Sequence, residues 1–165
     1  MRSKSSGFTL IELLIVVAII GIIAAIAIPN LILAIQRSKQ KRAMGEVRGM
    51  ATACNSSYAD TNKYPASDAS YTPTDTIDGM QDLAPYYIKA VPNPDPWGKM
   101  YEYAVNATGQ DFALRSLGKD GTADTPEFPA ILAENPRGTA CFENDIVWVN
   151  DFFFIRPEGK QKRCS

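Results

Sequence analysis

The chain contains no histidine among its 165 residues. That excludes Ser-His-Asp and Cys-His nucleophilic catalysis and removes the commonest zinc ligand. An excess of either charge is missing too: 17 lysines and arginines face 18 aspartates and glutamates. A general polyanion binder needs more than that. No pair of carboxylates stands out as an acid–base couple, no nucleophile motif is visible, and no internal repeat divides the chain. Cysteine is scarce, with three residues, which allow three single pairings that sequence alone does not choose between. Cys54 lies in a helical stretch, whereas Cys141 and Cys164 bracket the C-terminal region. Pairing of the latter two is favoured, because it would staple an otherwise free tail; three unpaired thiols are the alternative. Such a bridge implies an oxidising compartment.

What the sequence does have is one long apolar run. Residues 8–28 are apolar except for Thr9, Glu12 and Gly21, and a short leader carrying Arg2 and Lys4 precedes them. As a helix this segment spans about 30 Å at ~1.5 Å per residue, enough to cross a bilayer core. A secretory signal peptide carries a small-residue cleavage site after its apolar stretch. Here the only plausible processing point, Gly7, comes before it, so the segment stays with the mature chain. Cleavage removes Arg2 and Lys4 and leaves 15 basic against 18 acidic residues. The basic leader favours a cytoplasmic N-terminus with the rest of the chain outside. Glu12 is costly in this setting, roughly 2.5–3.5 kcal/mol on insertion scales, and calls for a partner. The natural cation is a free α-amino group on Phe8, reached within one chain or across two chains packed side by side. The second option draws subunits into register. The alternative is a carboxylate that snorkels to the nearby interface.

Beyond residue 28 the pattern changes by stages. Pro29 is expected to kink the helix locally, and apolar character continues through Leu31, Ile32, Leu33 and Ile35. Arg37, Lys39, Lys41 and Arg42 then read as a solvated face or an anchor at lipid headgroups, with nucleic-acid contact the lesser alternative. Ala43, Met44, Val47, Met50, Ala51, Cys54 and Tyr58 recur at spacings of three and four, one helical stripe. A single helix over roughly residues 8–62 follows, ended by Tyr64-Pro65. Residues 65–96 read as an irregular connection with a helical turn at 83–88. Residues 100–105 and 111–117 flank an Asn106–Gly109 turn as a β-hairpin. Residues 118–144 read as loop, 145–155 as the last strand, and 156–165 as a basic, polar tail. The reading is therefore an α+β fold: a long N-terminal helix packed on a small antiparallel sheet. It divides into a leader (1–7), an apolar helix (8–28), its amphipathic continuation (29–64) and a globular domain (65–165).

Gly7-Phe8-Thr9-Leu10-Ile11-Glu12, with the basic leader before it and the apolar run after it, resembles the processing motif of type IV pilins and type II secretion pseudopilins. The resemblance implies a pilin-like fold and a structural rather than enzymatic role. It implies cleavage by the prepilin peptidase between Gly7 and Phe8, N-methylation of Phe8, and pairing of Glu12 with a neighbour's N-terminus as the chain polymerises with copies of itself. Gly21 and Pro29 match positions where the family's helix loosens in the filament. The implied location is a single pass in the inner membrane with the domain in the periplasm, and then a periplasmic or cell-surface filament. Minor pseudopilins and an inner-membrane assembly platform are the implied partners, and nucleic acid is not.

A narrower resemblance lies in the C-terminal half. Asp95-Pro96-Trp97-Gly98 with Tyr101 and Tyr103, Ser116-Leu117-Gly118-Lys119-Asp120-Gly121, and Asn144-Asp145-Ile146 with Trp148 are similar to elements of the major, G-type pseudopilin. That subfamily's loops bind one Ca²⁺. The resemblance carries the ligand role onto the backbone carbonyl of Leu117, Asp120, Asn144 and Asp145, hard oxygen donors of the kind Ca²⁺ prefers. Asp124, nearer to Asp120, is a further candidate. Two departures stand out: residues 121–143 separate the two loops, and the cysteine pair is more like that of true type IV pilins. The implied function is a pseudopilus subunit driving protein export, with a type IV pilin for adhesion, motility or DNA uptake as the alternative. If Asp120 and Asp145 are ordinary turn and strand-edge carboxylates, the Cys141–Cys164 bridge does the stapling instead.

Overall fold

A computed structural model of the protein describes residues 7–67 and 70–164. Leader residues 1–6 lie outside the described residues. The chain divides after Gln36 into two compact units, and one helix, α1 (Leu10–Thr61), begins in the first and ends in the second.

The first unit is helix alone. Nearly every large apolar side chain from Phe8 to Ile35 is exposed, so within this chain the segment has no core of its own to enter. Length and composition suffice to cross a membrane. Pro29 lies inside the helix, where it lacks the N–H that would bond to the carbonyl four residues earlier. One residue on, the Asn30 side-chain amide donates to the Ile26 carbonyl at 3.1 Å.

The second unit is built on residues 37–61 of α1 and a six-stranded sheet. The helix buries Gln40, Ala43, Val47, Met50, Ala51, Ala53 and Cys54, the stripe read from the spacing, with Met44 and Tyr58 at its half-buried margins. The strands are β1 (Thr72–Pro73), β2 (Glu102–Val105), β3 (Phe112–Ser116), β4 (Arg137–Cys141), β5 (Ile146–Val149) and β6 (Phe152–Lys162), in the order β1-β2-β3-β5-β6-β4. The expected hairpin is β2–β3. Its turn is held by Asn106, whose Oδ1 accepts from the Thr108 hydroxyl and from the amides of Gln110 and Asp111.

Both sheet faces are covered. Tyr101, Tyr103, Phe112, Leu114 and Trp148 pack with Val47, Met50, Ala51 and Cys54 of α1. On the other face Ala104, Ala113, Val147 and Val149 meet Phe128 and Ile131, which come from the segment between the two candidate ligand loops. Burial on both faces explains why β5 reads as a continuous apolar run rather than an alternating one, and why β3 is buried throughout although it ends in Arg115 and Ser116.

The structure corrects three expectations. The stretch 145–155 is two strands, because Asn150 takes φ 49 and turns the chain between β5 and β6. The tail is not free: β6 runs to Lys162, and β4, which lies within the stretch read as loop, pairs with it. That pairing is parallel, so the sheet is mostly, not wholly, antiparallel. The expected helical turn at 83–88 is present, closed by the Tyr87 N–H donating to the Leu83 carbonyl at 2.9 Å with Leu83 in the core, and the short helix α2 (Asp78–Gln81) precedes it.

Candidate functional site

Two regions carry the residues singled out above. At the start of α1, Gly7 and Phe8 are exposed and lie outside the helix. Thr9 and Glu12 close a capping box. The Glu12 Oε2 accepts from the Thr9 backbone N–H at 2.8 Å and from the Thr9 hydroxyl at 2.7 Å, while the Thr9 Oγ1 accepts from the Glu12 N–H at 3.2 Å. Within a single chain, then, the carboxylate is held by hydrogen bonds to Thr9. Gly21 and Pro29 both lie within the helix, and nothing lies within 4 Å of a side chain added at Gly21.

The second region is the junction of the loops after β3 and before β5. Despite the intervening 121–143 segment, the two loops meet. Gly118, at φ +66, lies so close to the carbonyl oxygens of Glu143 and Asn144 that a Cβ there would collide with both. Next to it the Lys119 N–H donates to the Phe142 carbonyl at 3.0 Å. The Lys119 ammonium pairs with Glu143 at 3.3 Å, and the other Glu143 oxygen accepts from the Cys164 N–H at 2.9 Å. Burial pushes the Glu143 carboxyl up, but the Cys164 amide and Lys119 outweigh it and hold the group below its ordinary value. The Cys141–Cys164 disulfide is formed and ties the end of the chain to this junction.

Asp145 is the buried carboxylate of the junction. Its Oδ2 accepts from the Asp124 N–H at 3.0 Å and from the Thr125 hydroxyl at 2.8 Å, while its Oδ1 is buried with no hydrogen-bond partner. Burial pushes the carboxyl up to about 6, against the pull of Thr125, the Asp124 amide and Arg115. A cavity of about 290 Å³ opens here, lined by Asp145, Asn144, Asp124 and Thr125 among others. The structure thus brings Asp145, Asn144 and Asp124 together. Asp120 instead sits at the exposed turn with its Oδ1 capping the Thr122 N–H at 3.0 Å, and neither it nor Leu117 lines the cavity. Among the described residues, no group of three or more Asp, Glu, His or Cys side chains is arranged to hold a metal. A cation at Asp145 would nevertheless satisfy its orphaned oxygen, as a buried acceptor requires a partner.

Two supporting residues, Arg115 and Thr125, went unread in the sequence, and Asp95 was read only as part of a motif. The buried Arg115 guanidinium bonds Glu102 at 2.6 Å and the Thr125 Oγ1 at 3.2 Å and stacks 3.8 Å above the Tyr71 ring. Thr125 therefore links a fixed cation to Asp145. Asp95 is buried as well: its Oδ1 accepts from the amides of Trp97 and Lys99, and its Oδ2 from the Ser116 hydroxyl at 2.8 Å. The available signal was an arginine following the apolar Phe112-Ala113-Leu114 of a strand.

Comparison with known proteins places this geometry. The family described as "Type II secretion system (T2SS), protein G" matches residues 30–135, and the "Prokaryotic N-terminal methylation motif" matches residues 2–28. The chain is 34% identical over 125 residues to the type II secretion system core protein G of Pseudomonas aeruginosa, covering 73% of this chain and 87% of that protein. It is 30% identical over 146 residues to the type IV major fimbrial protein FimA of Dichelobacter nodosus (88% and 91%). With the type IV major pilin protein PilA of Myxococcus xanthus it shares 35% over 144 residues (86% and 50%). No solved structure matches. With a methylation motif leading its apolar helix and the family pattern running from Asn30 through β1, β2 and β3, the chain belongs to the type II secretion system protein G family of pilin-like pseudopilins.

Proposed function

We propose that this chain is the structural subunit of a type II secretion pseudopilus. The observation that carries the reading is α1 itself: apolar side chains exposed all round from Phe8 to Ile35, with one carboxylate at the start. Exposed apolar surface of that extent needs an apolar surrounding. A bilayer supplies it first, and the helices of neighbouring copies supply it in a filament. Cleavage between Gly7 and Phe8 by the prepilin peptidase frees an amine that is then methylated, and Glu12 of one copy pairs with that amine of the next, which sets the register. Gly21 and Pro29 let the helix loosen as it packs. The subunit sits in the inner membrane with its domain in the periplasm before assembly, where minor pseudopilins and an assembly platform receive it. Growth of the polymer drives cargo outward.

A type IV pilin is the second reading. It is favoured by the similarity to the Dichelobacter nodosus and Myxococcus xanthus pilins and by the disulfide-closed C-terminus. Deletion in the native host separates the two. A pseudopilin deletion leaves secreted proteins in the periplasm with surface filaments intact; loss of filaments with secretion intact overturns the first reading.

The loop junction is proposed to hold Ca²⁺. Asp145 contributes the orphaned oxygen, with Asn144 and Asp124 beside it, while Leu117 and Asp120 lie outside the cavity. The ion would neutralise the buried carboxylate and bind the two loops together. Calcium and the Cys141–Cys164 bridge would then secure the same junction from two sides.

A further inference from the structure

On the second unit, a groove of about 520 Å³ lies between α1 and the last strand, and neither the loop junction nor the helix start uses it. Its charged lining is all of one sign. Arg37 and Lys41 come from α1, Lys160 comes from β6, and no acidic side chain lines it. The ion pairs of the described residues engage Arg42, Arg115, Lys119 and Arg137, so these three cations are left to solvent or to a ligand. The floor is fixed rather than loose. Buried Gln40 donates to Gln161 at 3.1 Å, and the Gln161 amide donates to the carbonyls of Thr139 and Glu158 at 2.6 and 2.8 Å. Met44 and Pro157 add apolar surface to the same walls.

Position along the chain says what this groove meets. Arg37 is two residues beyond Ile35, the last member of the apolar run. A cation there reaches the headgroup level of a membrane that holds the run. Three unpaired cations around a partly apolar groove suit a phosphate joined to a glycerol and acyl chain better than a nucleic-acid backbone, which needs a longer basic track.

We propose that the groove seats the phosphate of an anionic phospholipid between Arg37, Lys41 and Lys160, retaining the subunit at the membrane surface until assembly. The proposal rests on the apolar run of α1 being held in the membrane through Ile35. Full-length protein in neutral-detergent micelles tests it, with lipid occupancy counted by native mass spectrometry. The probes are short-chain phosphatidylglycerol, short-chain phosphatidylcholine, inorganic phosphate and a short DNA duplex.

One phosphatidylglycerol per chain is expected, at an affinity well above that of the other three probes. Each cation near an anionic lipid surface contributes about fivefold, so Lys41→Gln/Lys160→Gln should lower the affinity about thirtyfold. Lys41→Arg/Lys160→Arg should retain binding, which separates loss of charge from loss of fold. Arg48→Gln/Lys89→Gln removes the same charge from exposed positions outside the groove and should change affinity less than twofold. Equal losses in the two glutamine variants, equal binding of phosphatidylcholine, or tighter binding of free phosphate or DNA each overturn the proposal. If the full chain stays soluble and monodisperse without detergent, the membrane reading fails instead.

Discussion

Replacement of Gly118 by alanine probes the loop junction most sharply. Two costs follow from the geometry. The residue has φ +66, in the left-handed region, where a Cβ costs about 1–2 kcal/mol. The added Cβ also runs into the carbonyl oxygens of Glu143 and Asn144, backbone atoms that move only if the loops part. Parting them strains the Lys119 N–H to Phe142 carbonyl bond, worth about 0.5–1.5 kcal/mol net. Together the loss is about 1.5–3.5 kcal/mol, or about 6–13 °C in melting temperature for a unit of this size. Gly98 is the built-in control: it has φ +86 with nothing within 4 Å of an added Cβ, so Gly98→Ala bears only the conformational cost, about 1–2 kcal/mol. Thermal unfolding of both full-length variants in micelles, followed by near-ultraviolet circular dichroism, reads the difference. If Gly118→Ala melts no lower than Gly98→Ala, the two loops do not pack as described.

Further predictions address other parts of the domain. Chelation of calcium should lower the melting temperature of the wild type, since an ion at 100 times its Kd contributes about 2.7 kcal/mol. Asp145→Asn should lose that response and Asp120→Ala, outside the cavity, should keep it; a wild type indifferent to chelators would show that no calcium is held there. Arg115→Met breaks a buried pair and should cost about 3 kcal/mol in denaturant titrations. Glu127→Gln, whose carboxylate is 61% exposed and 3.7 Å from the guanidinium, should cost under about 0.5 kcal/mol; equal losses would refute the description of Arg115 as bound mainly by Glu102. Burial pushes the Cys54 thiol up to about 12, so iodoacetamide at pH 8 should label it only in denaturant, and prompt labelling of the folded protein would contradict that burial.

How much of this was legible depended on whether the signal was local. The α1 stripe follows from periodicity alone, and the β2–β3 hairpin from alternation around Asn106 and Gly109. Strand β4 was hidden because Arg137-Gly-Thr-Ala-Cys has one buried side chain, Thr139, and gains its strand character by pairing with β6. The break at Asn150 was masked by apolar residues on both sides, although the adjacent Asn and Asp are turn formers. The tail looked solvated because its charges outnumber its one buried anchor, Gln161. At the loop junction the sequence identified Asp145, Asn144 and Asp124. It could not place Thr125 or Arg115 beside them, because strand pairing brings Glu102 opposite Arg115 and the long 121–143 segment folds back over the far face of the sheet.

The central claim is that Glu12 acts through its charge, pairing with the N-terminus of the next subunit. Within one chain the same carboxylate also caps its helix through Thr9, and Glu12→Gln keeps a side chain able to cap while removing the charge. Filament assembly by Glu12→Gln in the native host, scored beside processing at Gly7, separates the two roles. The account predicts normal processing and no filament; filaments at wild-type levels would contradict it.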